Sequence, residues 1–328
     1  MDTDSEGQRH FDIISIGSAT IDQFVYTDIQ LIQIKSSTLA KELIAYPLGS
    51  KLLIEKFHLF TGGSASNTSV GFSRLGLNAA CISNIGLDYN GEIILKELKR
   101  EGVSFIGSTD KSHPTGFSVI LDSFAKDRTI LTYKGANDHL TLKAIALEGI
   151  STNALYIGSL AGKAFDEGVK LIRQFRKNRK KELVVFFNPS AYVADKGLKF
   201  FSKYLSLVDF LILNKEEARL LLENPHLSSP VDIITALHMR TKKPIAMTDG
   251  ANGAFYYDGK SFHHKKARNI KVVESTGAGD AFSVGFCFGV LSGKKPITCL
   301  AYGIKNSESV IKEIGAKNTL LKRLAFSR

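Results

Sequence analysis

Short apolar runs alternate with amphipathic stretches along most of this chain. Phe11-Asp12-Ile13-Ile14-Ser15-Ile16-Gly17 reads as a buried strand ending on glycine. Comparable runs at 79–86, 154–157, 183–187, 210–213 and 244–247 read as further strands. Between them, apolar residues recur at helical spacing over 66–75, 92–101, 165–177, 198–205, 215–222 and 231–239. Parallel strands need long crossovers, and helices supply them. The alternation therefore predicts an α/β fold, a parallel sheet covered by helices. No repeat of about 20–50 residues underlies it, which sets solenoids and propellers aside.

Two regions break the alternation. Residues 24–60 are irregular, with short strands expected at Phe24-Val25-Tyr26 and Lys51-Leu52-Leu53-Ile54. Residues 115–121 and 129–133 have strand character on either side of a polar turn, 122–128, and predict a hairpin.

Composition adds limits. The chain has 328 residues, 44% hydrophobic and 23% charged, which suits one folded unit over 1–328 with an ample core. No apolar run reaches the ~18 residues that span a bilayer, so no membrane partner is expected. Residues 1–10 are polar and acidic, unlike a signal peptide, and a cytoplasmic location is expected. Cys81, Cys287 and Cys299 lack metal-ligand spacing and read as small buried hydrophobes. The net charge of +11 permits nucleic-acid binding. The basic residues are dispersed, however, and the densest run, 173–181, reads as a solvated helix end. No nucleic-acid partner is expected, while the positive field favours anionic small molecules.

The most pointed chemistry lies in Glu274-Ser275-Thr276-Gly277-Ala278-Gly279-Asp280-Ala281-Phe282. A loop with two glycines runs into an acid, and the apolar segment 281–291 reads as a buried helix. The first N–H groups of a helix lack intrahelical acceptors, and the dipole adds positive charge there. Such a place binds phosphate. An acid beside it suits a general base. Asp280 would take a proton from a substrate hydroxyl while the amides of Gly277, Ala278 and Gly279 hold the phosphoryl group under attack. The same residues would also serve as a plain turn with a helix-start carboxylate. A Rossmann G-x-G-x-x-G would need glycine where Phe282 stands, and no P-loop occurs.

Residues 275–282 resemble the C-terminal signature of the ribokinase-like (PfkB) family of sugar and nucleoside kinases. A second signature of that family is matched by Gly62-Gly63-Ser64-Ala65-Ser66-Asn67-Thr68, continuing to Arg74-Leu75-Gly76. The resemblance implies a three-layer αβα sandwich with a mostly parallel central sheet. It also implies a small β-sheet lid from about 24–60 and 112–134. The implied activity is transfer of the γ-phosphoryl group of ATP, with Mg2+, to a hydroxyl of a sugar or nucleoside. Asp22, Gly62, Gly63, Asn67 and Asn188 would bind the acceptor, and Asn214, Glu217, Thr248, Gly250, Gly253 and Thr276 the nucleotide. Glu217 would hold magnesium through water, although Asn214 and Glu217 also fit a helix capping box. Residues 301–315 would wall the adenine pocket, with Ile304 facing it. Glu274 would sit at a site for a monovalent cation such as K+, where relatives more often have Asp. Ser64-Ala65-Ser66 and Ala19 depart from typical ribokinases, so ribose is not singled out. A homodimer through the lid edges is expected. A non-catalytic sugar- or nucleotide-binding protein on the same fold is the alternative.

Overall fold

The structure, a computed structural model, describes residues 9–27, 32–35, 40–43, 47–122, 128–177 and 182–322. Among the described residues, nine strands form the main sheet. In spatial order they are Phe262–Lys265, Ala254–Tyr257, Ile245–Thr248, Phe210–Asn214, Val184–Phe187, Ile150–Ile157, Arg9–Ile16, Ala79–Ile82 and Ser104–Phe105. The seven from Ile245–Thr248 onward run parallel, and the other two are antiparallel at one edge.

Both faces of the sheet are covered, and the strands show why their runs are continuously apolar. Successive side chains point to opposite faces. Ile14, Leu155 and Phe187 pack on one face with Phe165, Phe201 and Ile233 from helices Gly162–Lys177, Gly197–Leu205 and Pro230–Thr241. Their neighbours Ile13, Ala154 and Phe186 pack on the other face with Phe72, Phe282 and Leu300 from helices Ser64–Arg74, Ala278–Leu291 and Pro296–Val310. This is the expected αβα sandwich. The three cysteines are buried and free. Among the described residues no helix is long and apolar enough to cross a membrane.

A second, four-stranded sheet has the order Arg128–Tyr133, Phe117–Asp122, Thr20–Thr27, Ile54–Gly62. Its hairpin is the predicted one, with Asp122 opposite Arg128; the turn residues 123–127 lie outside the described residues. The strand expected at 51–54 instead covers Ile54–Gly62. Its partner Thr20–Thr27 pairs Thr27 with Ile54 and Thr20 with Gly62. The run expected as one strand over 79–86 breaks at Ser83. Ala79–Ile82 stays in the main sheet, whereas Asn84–Gly86 pairs with Ser108–Asp110. The two antiparallel edge strands are not among the expected elements. Phe262–Lys265 is mostly exposed and carries two histidines and a lysine, which hides its strand character.

Residues 1–8 and 178–181 lie outside the described residues, so the readings of the N-terminus and of the end of the 173–181 run rest on sequence.

Candidate active site

The sheet order reverses between Arg9–Ile16 and Ile150–Ile157, because the chain builds outward from Arg9–Ile16 first to one side and then to the other. At such a switch point the loops leaving the carboxyl ends of neighbouring strands diverge and open a crevice. Ser18, Ser159, Asn188, Asn214 and Thr248 all stand at or just beyond those ends and line its cavities.

Two cavities occupy the crevice. One of about 380 Å³ is roofed by the small sheet and contains Asp22, Gly63, Asn67, Asn188, Glu217, Thr276, Gly277 and Asp280. The other, about 430 Å³, contains Thr248, Gly250, Gly253, Ala278, Phe282 and Ile304. Gly279 lines both. A gap of about 60 Å³ beside them is lined by Asn214, Glu217, Thr248 and Gly279. Sequence motifs scattered from Asp22 to Asp280 thus converge on one site. Thr276, expected with the nucleotide group, lines the 380 Å³ cavity, and its hydroxyl donates to Glu274 Oε1 at 2.9 Å.

Helix Ala278–Leu291 starts where expected, capped by Gly277 at φ 80°. A side chain at Gly277 would be strained there, and its Cβ would lie 2.4 Å from the Ala316 Cβ. Of the three amides assigned to the anion site, that of Ala278 already donates to the Ser275 carbonyl at 3.2 Å. The Gly279 end is open: a Cβ there would meet nothing within 4 Å. Phosphate oxygens can therefore approach the helix N-terminus at Gly279, the point shared by both cavities.

Asp280, in that first turn, accepts a 2.8 Å hydrogen bond from Asn67 Nδ2. Loss of water around it raises its pKa to about 6, with the Asn67 bond opposing and the nearby Asp22 charge reinforcing the shift. The carboxylate fixes the Asn67 amide so that Oδ1 faces away, buried and without a partner. Buried acceptors without donors are uncommon, and this one belongs to a residue that lines the smaller cavity. Asp22 is buried, accepts from Thr20 Oγ1 at 3.1 Å, and is likewise raised by desolvation. It occupies the space of a missing side chain: a Cβ on Gly62 would fall 1.9 Å from Asp22 Oδ2. Gly62 therefore does not line the cavity but makes room for the acid that does.

Asn214 and Glu217 form the complete capping box of helix Lys215–Leu222. Asn214 Oδ1 accepts from the Glu217 amide at 2.8 Å and Glu217 Oε2 from the Asn214 amide at 2.9 Å. Burial raises Glu217 to about 7, against the Asn214 bond and with added repulsion from Asp280. A carboxylate so short of solvent and counter-charge gains from a nearby cation. Among the described residues no group of three His, Cys, Asp or Glu could hold a metal, so an ion here would rely on phosphate and water as well. Glu274 Oε1 accepts from the amides of Ser275 and Thr276 at 2.7 and 2.8 Å, closing the loop before the helix.

Several residues of the site and its surroundings carry no signal in the sequence. Lys317 is buried, donating from Nζ to Ser66 Oγ at 2.8 Å and Glu97 Oε2 at 2.5 Å, while its carbonyl accepts from Arg74 at 2.5 Å. Burial pulls its pKa down, and Glu97 opposes that. In the larger cavity Arg268 Nε pairs with Glu308 Oε2 at 2.6 Å, tying the loop at 266–272 to helix Pro296–Val310. Nothing local in a sequence marks a lysine as buried or pairs residues 40 positions apart.

Comparison with known proteins agrees with this fold. A ribokinase from Lactococcus lactis is 27% identical over 277 residues, 84% of this chain and 87% of its own. A 5-dehydro-2-deoxygluconokinase from Halalkalibacterium halodurans is 25% identical over 328 residues, 95% of this chain and 92% of its own. Among solved structures, a nucleoside kinase from Methanocaldococcus jannaschii has a TM-score of 0.74 at 19% identity, covering 94% of this chain and 95% of its own. An E. coli protein solved with ATP and Mg2+ has a TM-score of 0.75 at 20% identity, covering 94% and 95%. Residues 14–323 match the family described as pfkB family carbohydrate kinase, and the chain belongs to that family.

Proposed function

We propose that the protein is an ATP-dependent kinase that transfers the γ-phosphoryl group to a hydroxyl of a small sugar or nucleoside. One observation carries the reading. Asp280, with a pKa of about 6, stands in the first turn of a helix whose N-terminus separates a cavity rich in hydroxyl and carboxylate side chains from one lined by glycine loops and aliphatic residues. An acceptor in the polar cavity and a nucleotide in the other would meet at Gly279.

The acceptor hydroxyl donates to Asp280, which is mostly ionised at neutral pH and takes the proton as the new O–P bond forms. Asn67 keeps the carboxylate oriented through its Nδ2 bond. Asp22 accepts from neighbouring hydroxyls. The amides at the helix N-terminus neutralise charge on the transferred group. Holding both reactants supplies much of the acceleration by removing their translational freedom. The roof contributed by Ser118, Ile130 and Thr132 limits access of water, the competing acceptor. Ile304 and Phe282 offer the adenine an apolar wall. Glu217, through water, would help hold magnesium beside the phosphates, and the ion would supply neutralisation of phosphate charge. A monovalent cation at Glu274 would have to share that side chain with the loop bonds it already makes.

The lid leaves Phe57, Leu59, Leu131 and Tyr133 exposed, and a second copy covering them would give the homodimer. Light scattering across a dilution series tests that.

The deciding experiment measures magnesium-dependent ADP release over a panel of sugars and nucleosides. Acceptor-dependent release that Asp280→Asn abolishes is expected. ATP binding without release from any acceptor would instead favour a non-catalytic binding protein.

A further inference from the structure

The polar cavity is electrically lopsided. Three carboxylates, Asp22, Glu217 and Asp280, line it, and Lys134 is its one side-chain cation among the described residues. The position of Lys134 is built. Its carbonyl accepts from Asn137 Nδ2 at 3.2 Å, and the same buried side chain clamps Ala19 by bonds of 2.9 Å to its amide and 3.0 Å to its carbonyl. Ala19 lies between Ser18 and Thr20, which line the cavity, so the lysine backbone is fixed relative to the site. The ammonium lies 3.8 Å from the centroid of the Tyr192 ring. No carboxylate among the described residues pairs with it.

An aromatic face differs from a carboxylate as a partner: it holds the ammonium in place and leaves its charge uncancelled. Tyr192 comes from helix Ser190–Ala194, on the core side of the crevice, whereas Lys134 follows the lid strand Arg128–Tyr133. Ser190, two residues before Tyr192, has φ 54° without being glycine, and Asn188 Oδ1 holds its amide at 3.0 Å. Such a conformation costs about 1 kcal/mol or more and persists where surrounding contacts impose it. Asp22, Ser118 and Thr132 stand in one row across the lid sheet. Two strand spacings, about 10 Å, separate the ends of that row, and Lys134 is two residues further along.

We infer that the acceptor is a polyhydroxylated compound bearing one anionic group, carboxylate or phosphate, remote from the hydroxyl that is phosphorylated, and that Lys134 binds that group. The inference rests on the cavity being the acceptor site. Hydroxyls lie over Asp22 and Asp280, where an anion would be repelled, and the charge lies at Lys134.

Gluconate and fructose 6-phosphate, each beside its neutral counterpart glucose or fructose, test the inference and tell carboxylate from phosphate. For one anionic compound kcat/KM is expected to exceed that of its counterpart at least tenfold. Lys134→Met should lower that ratio at least tenfold through KM, and Lys134→Arg should restore most of it. Preference for a neutral compound, or a ratio that Lys134→Met leaves unchanged, would overturn the inference. Calorimetry without ATP separates the two readings. Gluconate or fructose 6-phosphate binding that weakens in Lys134→Met, with no phosphorylation, sustains the anion site while the kinase reading fails. Absence of binding by both removes the anion site whether or not neutral sugars are phosphorylated.

Discussion

The two cavities that meet at Gly279 are built by different means. The 380 Å³ cavity is defined by side chains, with hydroxyl-bearing serines and threonines from Ser18 to Ser190, three carboxylates and a lysine. The 430 Å³ cavity is lined by loop backbone at Gly250, Gly253 and Gly279, by apolar faces such as Ile304 and Ile311, and by the Arg268–Glu308 pair, whose charges are committed to each other. Side-chain donors and acceptors discriminate sharply, since a missing partner leaves a buried polar group unpaired. Backbone and apolar walls fix a shape that tolerates sequence change. On the proposed reading, one side of this molecule is suited to choosing among acceptors, and the other to holding a constant co-substrate.

Substitutions on the two sides should then separate cleanly. The largest effect belongs to Asp280→Asn, expected to lower kcat by about 10²–10⁴-fold with ATP affinity little changed. Near-normal turnover would remove the base assignment and with it the division of labour. Titration sharpens the case. Wild-type kcat should fall as pH drops below about 6, where Asp280 takes up its proton. Stability should run the opposite way. The folded-state pKa of about 6 lies above the ordinary 3.8, so the folded chain holds a proton that the unfolded chain releases between those values. The cost of the buried charge is absent below about 4 and complete above about 6. Asp280→Asn should therefore raise Tm at pH 8 and leave it unchanged near pH 3.5; a lower Tm at pH 8 would show the carboxylate to be stabilising.

Asp22→Ala comes next. Loss of charge-assisted hydroxyl bonds costs on the order of 1.5–3 kcal/mol, about 10–150-fold in acceptor affinity. Wild type should discriminate against deoxy analogues and the variant should not. Weakened ATP binding with selectivity intact would mean the cavities have been assigned the wrong way round. Ile304→Asn probes the other side. A polar group set into an apolar wall costs about 1–2 kcal/mol, so KM for ATP should rise roughly 5–30-fold while acceptor KM stays put. An acceptor defect from this variant would show the cavities to be coupled. The smallest expected effect is that of potassium against sodium or a bulky organic cation at fixed ionic strength. With Glu274 Oε1 committed to its own loop, any difference should stay within a few-fold, and a large one would add a third component to the site.

A related contrast governs which features the amino-acid sequence alone makes legible. The parallel core strands announce themselves, because burial on both faces makes them continuous apolar runs. The G-A-G-D turn is legible because glycine, glycine and an acid at a helix start serve few purposes together. Lys134 and Lys317 carry no such mark, since a lysine looks alike whether it stands at a cavity mouth, in solvent or in the core. The strand Ile54–Gly62 is hard to place from its residues, because its exposed Phe57 and Leu59 do not report which face is buried. Gly62 reads as a contact, but its part is negative: it is the room that Asp22 needs.

The bonds that complete the site have a consequence for how the protein comes together in time. Asn67 reaches Asp280 across 213 residues, Glu97 reaches Lys317 across 220, and Ser66 reaches Lys317 across 251. Contacts so distant in sequence close late, because a long loop must lose its freedom before they form. The proposed catalytic centre therefore belongs to the slow end of folding. In a refolding experiment helical circular dichroism should return first and phosphoryl-transfer activity last, with a measurable lag between them.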